Sequence, residues 1–255
     1  MDKRKVAIID MLAGAEQVSV RDLAATFAVS GMTIRRDLDE LAKQGLVVRT
    51  HGGAVSSGKL RFIHGALPDS EVSEAKSAVG RCAAELVKPG QMIMVDTGTT
   101  ALEVARHFPR DASITVVTTS LGVAQELYRS SLNVLLLGGF LRHEFPSVYG
   151  PMTEKLLSEM RVDTLFIGCD GAFSDDGFYS NDLHVSSLEQ TMTRIANQVV
   201  VVTESAKFGR RAFSRYAAVE EVDIVITDSG LSTEDKRNLA ERDVTTIIAD
   251  RLPAV

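Results

Sequence analysis

The sequence has little cysteine and no long apolar run. Its two cysteines, Cys82 and Cys169, match no metal-binding or redox spacing, so we expect buried thiols in a reducing compartment and no metal site. No uncharged apolar run approaches the ~18 residues that span a bilayer, and there is no basic-then-apolar leader. Internal repeats and low-complexity tracts are also missing. We therefore expect a cytoplasmic protein without membrane contact, metal or cofactor.

The chain also lacks a positive net charge, because 28 Lys/Arg stand against 34 Asp/Glu and leave a net of −6. The charge is unevenly distributed: residues 1–60 hold nine Lys/Arg against seven Asp/Glu, and the remainder carries a net of −8. A local basic face is enough for nucleic-acid binding. Since the first 60 residues are only weakly basic, two copies on a two-fold DNA site fit better than one, and we expect a dimer or tetramer.

The stretch from residue 30 to residue 41 predicts an amphipathic helix. Ser30 suits the N-cap, because its hydroxyl can accept from the free amides of the first turn. Three apolar residues recur at i, i+4 and i+7 and predict the face that docks on a small core: Ile34, Leu38 and Leu41. Thr33, Arg35 and Arg36 occupy the other face near the N-terminal end, where a recognition helix carries its DNA-contacting side chains. Taken alone, the stretch fits a surface helix with solvated arginines equally well.

A shorter helix is predicted directly before it. Ser19 suits its N-cap, Asp22 its first turn, and Leu23 and Phe27 its buried edge. This helix breaks near residue 28, so the two helices have the spacing of a helix-turn-helix. Residues 3–13 predict a further helix upstream.

The stretch after the recognition helix predicts a β-hairpin. Residues 46–49 alternate like a strand, and the glycine pair Gly52-Gly53 predicts the hairpin tip that forms the wing of a winged helix. Arg49 and His51 are placed there to touch phosphate. Asp37 is expected to pair with an arginine rather than to contact DNA. The predicted DNA-binding set is Ser19, Ser30, Thr33, Arg35, Arg36, Arg49, His51 and Gly52.

Residues 4–54 resemble the N-terminal domain of the DeoR-type transcriptional regulators. The sequence words that carry the resemblance occur in the family's order: Val18-Ser19-Val20, Asp22-Leu23-Ala24, Val29-Ser30, Thr33-Ile34-Arg35-Arg36-Asp37-Leu38, and Arg49 with His51-Gly52-Gly53-Ala54. The resemblance implies a regulator that binds double-stranded operator DNA. A helix-turn-helix used for protein contacts alone is disfavoured by the arginines and the glycine wing.

The remainder of the chain predicts a second, larger domain of the α/β class. We expect a winged helix-turn-helix domain over residues 1–57, a linker over 58–73 and a mostly parallel, doubly wound α/β domain over 74–255. After a helical stretch at 71–87, short apolar runs alternate with helical segments, each run being followed by a helix, and this pattern favours a parallel sheet covered on both faces. The runs are 91–95, 114–118, 132–137, 164–168, 199–203, 223–227 and 245–248.

Ligands of such sheets bind outside the carboxyl ends of the strands, and several of these ends carry suitable chemistry. Asp96, Thr97, Gly98, Thr99 and Thr100 follow the first run and open a helix, which predicts a phosphate cradle built from backbone amides and hydroxyls. The other predicted effector-binding residues follow later runs: Thr119, Ser120, Gly138, Gly139, Asp170, Gly171, Glu204 and Lys207. Together they suit a phosphorylated polyol or sugar, although each loop singly also fits ordinary turn chemistry.

This second half is similar to the effector domain of the same DeoR-type regulators, which resembles the fold of ribose-5-phosphate isomerase and glucosamine-6-phosphate isomerase. The matching pieces are the 96–100 loop, Leu137-Gly138-Gly139, Phe166-Ile167-Gly168 with Asp170-Gly171, and Ser205 with Lys207-Phe208-Gly209. The resemblance implies a repressor whose DNA binding is changed by a sugar phosphate from the pathway that it controls.

Four departures from the family pattern concern the groups around the sugar body. The usual Thr-Asn-Ser is Thr118-Thr119-Ser120, and the arginine often found after the wing is replaced within Phe62–Gly65. Ser187 and Glu189 replace the usual acid-to-lysine pair, and Glu204 replaces the usual Asp before Ser-x-Lys. We therefore expect a phosphorylated sugar or sugar-acid effector without naming it.

An enzyme is the alternative interpretation. Asp170, Glu204 and His184 could in principle perform enediol acid–base chemistry, which needs a base within reach of a carbon-bound proton. No acid and base stand at a spacing that guarantees proximity, and fold alone does not imply function, so we expect no catalytic residue. His184 fits either a ligand contact or a first-turn residue, and His143-Glu144 could reach the pocket.

Overall fold

In the first of two units, Met1–Glu71, the described residues form three helices and three short strands. The computed structural model describes residues 3–13, 17–43, 47–50, 52–56, 73–110, 113–142 and 146–249. The elements of the first unit are α1 (Lys3–Ala13), β1 (Gln17–Ser19), α2 (Val20–Thr26), α3 (Gly31–Lys43), β2 (Val47–Thr50) and β3 (Gly53–Ser56). The strands form one antiparallel sheet in the order β1-β3-β2, so the predicted winged helix-turn-helix is confirmed. His51, His143-Glu144 and the predicted linker up to residue 72 lie outside the described residues.

A small core holds the three helices of this unit together. Leu23, Ile34, Leu38 and Leu41 are fully buried and pack with Ile8 of α1. Phe27, predicted to be buried together with Leu23, is only partly buried because it follows α2 as its C-cap. The predicted arginine partner of Asp37 is Arg4 of α1, whose Nε lies 2.6 Å from Oδ2 and whose Nη2 lies 3.2 Å from Oδ1. Because Asp37 is buried, this bidentate pair fixes α1 against the recognition helix.

Strand β1 was not predicted, because it has three residues and its pairing depends on one distant glycine. It pairs with β3 so that Ser19 lies opposite Gly53. A Cβ atom at Gly53 would collide with the Val18 carbonyl, so this position needs a residue without a side chain. The Val20 amide also donates to the Gly52 carbonyl at 2.8 Å, which fixes the hairpin tip against the start of α2.

The second unit, Val72–Val255, is built around one seven-stranded parallel sheet. Its helices are α4 (Glu74–Ala84), α5 (Thr99–Arg106), α6 (Leu121–Leu127), α7 (Pro151–Ser158), α8 (Leu183–Ile195) and α9 (Thr233–Ala240). Its strands are β4 (Met92–Val95), β5 (Thr115–Thr118), β6 (Asn133–Leu136), β7 (Phe140–Arg142), β8 (Ser147–Tyr149), β9 (Val162–Ile167), β10 (Gly171–Phe173), β11 (Gly177–Ser180), β12 (Ala196–Val202), β13 (Ser214–Ala218), β14 (Ile224–Thr227) and β15 (Thr245–Ile248). All seven predicted apolar runs form strands of the parallel sheet, in the order β15-β14-β12-β9-β4-β5-β6.

The direction of winding reverses beside β4. From β4 the chain adds β5 and β6 on one side and then β9, β12, β14 and β15 on the other. In open α/β sheets ligands bind outside the carboxyl ends of the strands at such a switch point. The fold therefore directs attention to the loops that follow β4 and β9.

The expectation that every run leads directly into a helix is wrong at three places. After β6 the chain forms the antiparallel hairpin β7-β8, and after β9 and β12 it supplies a second antiparallel sheet in the order β10-β11-β13. These strands have only three to five residues and include Gly, Ser and Arg. They are therefore too short and too mixed in polarity to give a periodic pattern.

Helix α4 packs closely on α5. A Cβ atom at Gly80 would lie 2.6 Å from both the carbonyl carbon and the Cβ of Glu103, so the two helices can be this close only because residue 80 has no side chain.

Within the described residues no helix is long and apolar enough to cross a membrane.

Candidate DNA-contacting face and effector site

The N-terminal half of α3 presents polar and basic side chains to solvent. Arg35 and Arg36 are exposed, and the Arg36 side chain lies 3.6 Å from Glu40 with 84% of its surface accessible. The Thr33 amide donates to the Ser30 hydroxyl at 3.2 Å, and the two hydroxyls lie 2.9 Å apart. Ser30 therefore caps the recognition helix as predicted, and both arginines can reach a partner outside the chain.

Ser19 and Arg49 take part in bonds within the first unit. The Ser19 hydroxyl accepts from the Asp22 amide at 3.0 Å and so caps α2. Arg49 donates to the Gly53 carbonyl at 2.9 Å, and its Nε lies 3.0 Å from Asp39 Oδ1 on α3. These bonds join the wing to the recognition helix, and Gly52 is exposed at the wing's tip.

The loop after β4 has the geometry of an anion cradle. Gly98 adopts a φ of +117°, a conformation that favours glycine, and is the N-cap of α5. The first hydrogen bond of α5 runs from the Leu102 amide to the Gly98 carbonyl at 3.0 Å, so the preceding amides lie outside the helix's own bonding. The Asp96 amide donates to the Phe166 carbonyl at 3.0 Å, which ties this loop to the end of β9 at the switch point.

Asp96 is buried at the base of this loop. Burial raises the pKa of its carboxyl from 3.8 to about 7, while hydrogen bonds from Thr97 and the charge of Arg142 act in the opposite direction. Asp170, which follows β9, raises it further. Asp96 and Asp170, predicted separately from two loops, are therefore brought into one electrostatic cluster.

Glu189 is the third carboxylate of this cluster. It lies on α8, is 5% exposed, and its Oε2 has no hydrogen-bond partner among the described residues. Burial and the charges of Asp96 and Asp170 raise the pKa of Glu189 well above its usual value, while Ser180 and Arg142 lower it. Sequence reasoning noted Glu189 only as a departure from the family pattern and gave no reason to bury it.

Arg142 was missed by sequence reasoning. It ends β7, and its Nη2 lies 2.9 Å from Asp182 Oδ2. Asp182 in turn caps α8 by accepting from the amides of His184 and Val185. His184 is thus an exposed first-turn residue whose ring lies 5.7 Å from that of Tyr149. A lone basic residue after a glycine pair carries no periodic signal, so only the hairpin reveals its position.

The glycines after β9 and β6 allow close approaches of the backbone. A Cβ atom at Gly171 would collide with the Arg210 carbonyl, and one at Gly139 would lie 2.6 Å from the Tyr149 carbonyl oxygen. The Asp170 carboxylate accepts from the Asn181 amide at 2.8 Å, and the exposed Gly138 accepts from the Thr153 hydroxyl at 2.8 Å. Gly138 and Gly139 follow β6, the edge strand, and therefore lie two strands away from β4.

The hydroxyl groups at the end of β5 and just after it form hydrogen bonds with backbone atoms. The Thr118 hydroxyl donates to the Val95 carbonyl at 2.7 Å, and Ser120 caps α6 by accepting from the Val123 amide at 3.2 Å. Thr119, between them, is buried. The Thr118 bond joins the end of β5 to the end of β4 beside the 96–100 loop.

Glu204 and Lys207 follow β12, the neighbour of β9. Glu204 accepts from the Ser73 hydroxyl at 2.7 Å and lies 3.7 Å from the Lys76 ammonium, so it is bonded to the start of α4. Lys207 is half-buried in a short 3-10 turn. Cys82 and Cys169, both predicted to be buried thiols, form no disulfide and are only half-buried. Within the described residues no group of three or more His, Cys, Asp or Glu is arranged to hold a metal ion.

Comparison with known proteins assigns both units. Residues 4–59 match the DeoR-like helix-turn-helix domain, and residues 71–229 match the DeoR C terminal sensor domain. The HTH-type transcriptional regulator GlpR of Haloferax volcanii is 34% identical over 96% of this chain and 96% of its own length. The glycerol-3-phosphate regulon repressor of Escherichia coli is 32% identical over 89% of this chain and 90% of its own. The chain therefore belongs to the DeoR family and is a DNA-binding transcriptional regulator.

Solved structures give a weaker likeness. Ribose 5 phosphate isomerase A from Neisseria gonorrhoeae matches with a TM-score of 0.41 and 16% identity over 53% of each chain.

Proposed function

We propose that this DeoR-family regulator is a cytoplasmic repressor of a carbohydrate-use operon, and that a phosphorylated sugar derivative changes its affinity for operator DNA. In this proposal residues 1–57 bind DNA, residues 58–73 are the linker and residues 74–255 bind the effector. The observation that carries the proposal is the coincidence of the 96–100 loop with the switch point of the parallel sheet. A phosphate there would meet backbone amides at the start of α5, which favours an anion.

The DNA-binding part of the proposal rests on α3 and the wing. Arg35, Arg36 and Thr33 would enter the major groove, and Arg49, His51 and Gly52 would lie against the phosphates, with Ser19 and Ser30 at the two helix starts. Two copies on a two-fold site would supply the charge that one weakly basic copy lacks, which supports a dimer or tetramer.

The effector part rests on the loops around the switch point. Thr97 to Thr100 would hold the phosphate, and Asp96, Asp170 and Gly171 would surround the rest of the molecule. Thr119, Ser120, Gly138, Gly139, Glu204 and Lys207 would complete the rim. The name of the glycerol-3-phosphate regulon repressor supports a phosphorylated ligand for this chain as well.

Nuclease footprinting of DNA from upstream of this protein's own gene tests the proposal. We expect a protected site with two-fold symmetry, with protection that changes when a pool of sugar phosphates is added. An isomerase with an accessory DNA-binding domain is the alternative, and turnover of ribose or hexosamine phosphates above the buffer rate would favour it. A protected site that no sugar phosphate alters would contradict the effector part alone.

A further inference from the structure

The candidate effector site contains two deeply buried carboxyl groups whose ionised forms are disfavoured by burial. Asp96 and Glu189 are 2% and 5% exposed, and the charge of Asp96 raises the pKa of Glu189. The charge of Asp170 also raises the pKa of both carboxyls. A buried carboxylate is costly unless a cation or several hydrogen-bond donors accompany it.

Arg142, a described residue, acts electrostatically on both Asp96 and Glu189, and it also pairs with a third acid. Its Nη2 lies 2.9 Å from Asp182, so part of its charge is directed to the start of α8. Arg142 therefore acts on Asp182 as well as on Asp96 and Glu189. The described His, Cys, Asp and Glu residues form no group that could hold a metal ion, so a metal is a poor candidate for a further cation beside these carboxyls.

Glu189 shows where a donor would bind. Its Oε2 is buried and accepts no hydrogen bond from the described residues. The same carboxyl senses the charge of Asp96, which begins the phosphate loop. Since Asp96 begins the loop, a molecule with its phosphate on the amides of residues 98–100 would have its next atoms near this pair of carboxyls.

We propose that the effector carries an ammonium group, as in an amino-sugar phosphate, and that Glu189 and Asp96 bind this group beside the phosphate loop. The inference rests on the proposed function, because it uses the same pocket. An ammonium would stabilise the ionised forms of both carboxyls, whereas a hydroxyl would supply a hydrogen bond without charge and a carboxylate would add to the negative charge of the ionised site. Glu189 is thus the residue that selects an aminated effector over a sugar and over a sugar acid.

The test compares ligand pairs that differ in one group. Calorimetric titrations of the full chain would use the 6-phosphates of glucosamine and glucose, galactosamine and galactose, and mannosamine and mannose. Each pair exchanges an ammonium for a hydroxyl at carbon 2, and the three configurations cover the stereochemistry there and at carbon 4. We expect the best amine to bind about 10- to 100-fold tighter than its hydroxyl partner, the usual effect of a charged hydrogen bond.

Two variants locate the selectivity. Glu189→Gln keeps the size of the side chain and removes its charge, so the preference for the amine should disappear while inorganic phosphate still binds. Glu154→Gln is the matched control on α7, since Glu154 lies outside the buried cluster and only approaches Ser187 at 3.5 Å, and its variant should keep the full preference. If the unaltered chain binds the sugar phosphate of every pair as tightly as, or more tightly than, the corresponding amino-sugar phosphate, the proposal is overturned, whatever the variants do. Failure of inorganic phosphate and every sugar phosphate to bind instead contradicts the proposed pocket itself.

Discussion

Replacing Asp96 with Asn tests the electrostatics of the effector site, because the substitution keeps the shape of the side chain and removes its charge. Burial raises the pKa of Asp96 from 3.8 to about 7, and burial together with Asp96 raises that of Glu189. Between about pH 4 and pH 7 the folded chain therefore holds a proton that the unfolded chain has released. The free energy of unfolding is highest at the acidic end of this window and falls as the pH rises through about 7.

The size of the effect follows from the pKa difference. Each pH unit across the window removes about 1.4 kcal/mol, so ionising Asp96 in the folded state costs on the order of 4 kcal/mol. The Asn side chain does not ionise, and without the Asp96 charge the pKa of Glu189 also falls. We expect Asp96→Asn to lose much less stability than the unaltered chain between about pH 5 and about pH 8.

Tyrosine fluorescence during urea unfolding measures this effect in the second unit alone. The chain has no tryptophan, and its four tyrosines all lie beyond residue 72: Tyr128, Tyr149, Tyr179 and Tyr216. Unfolding curves at several pH values would give the free energy of unfolding of the unaltered chain and of the variant.

Asp228→Asn is the matched control. Burial raises the pKa of Asp228, but hydrogen bonds from Ser205 and Gly230 outweigh this effect and hold the pKa below its usual value. Its stabilising contribution is therefore present above about pH 4 and is lost only as the pH falls further. We expect Asp228→Asn to be less stable than the unaltered chain. The slope of its free energy of unfolding against pH should be unchanged between about pH 5 and about pH 8. If Asp96→Asn instead ran parallel to the unaltered chain, the buried pair would not hold the proton and the reasoning would be refuted.

Three further predictions concern single residues. Arg36→Ala should weaken operator binding by roughly 1–3 kcal/mol without changing stability, as measured by fluorescence anisotropy; unchanged affinity would remove Arg36 from the DNA face. Gly98→Val should abolish the response to sugar phosphates while DNA binding without effector is kept, because a φ of +117° strains a β-branched residue; a surviving response would place the pocket elsewhere. Gly80→Ala should destabilise the second unit by about 1–3 kcal/mol in urea unfolding, because its Cβ would lie 2.6 Å from Glu103. Gly122→Ala, whose Cβ would meet its nearest atoms at 3.6 Å, should instead stabilise by up to about 1 kcal/mol, and equal effects of the two would contradict the close helix contact.

Features encoded by neighbouring residues could be predicted from the sequence. The caps at Ser19 and Ser30 depend on amides two or three positions away, and both are present. The seven strands of the parallel sheet are continuous apolar runs because both faces of the sheet are covered. These local signals were enough to assign both fold classes and to direct attention to the 96–100 loop.

Features that depend on distant contacts could not be predicted. β1 exists because Gly53 lets two backbones approach, and the strand order that places β9 beside β4 is set by packing between distant segments. Arg142 and Glu189 join the site from a hairpin and a helix that no periodic pattern links to Asp96. The sequence therefore directed attention to the 96–100 loop but gave no sign of the carboxylate cluster beside it.

The most direct test of the account is fluorescence anisotropy of labelled DNA from upstream of this protein's own gene. The protein would be titrated at two salt concentrations, with and without a pool of sugar phosphates. The account predicts sequence-selective binding that weakens with salt, because phosphate contacts release counterions, and that shifts when the pool is added. The size expected for coupling between two sites is about 1–3 kcal/mol. Selective binding that no sugar phosphate shifts would contradict the account's central claim that the loop at the switch point controls DNA affinity.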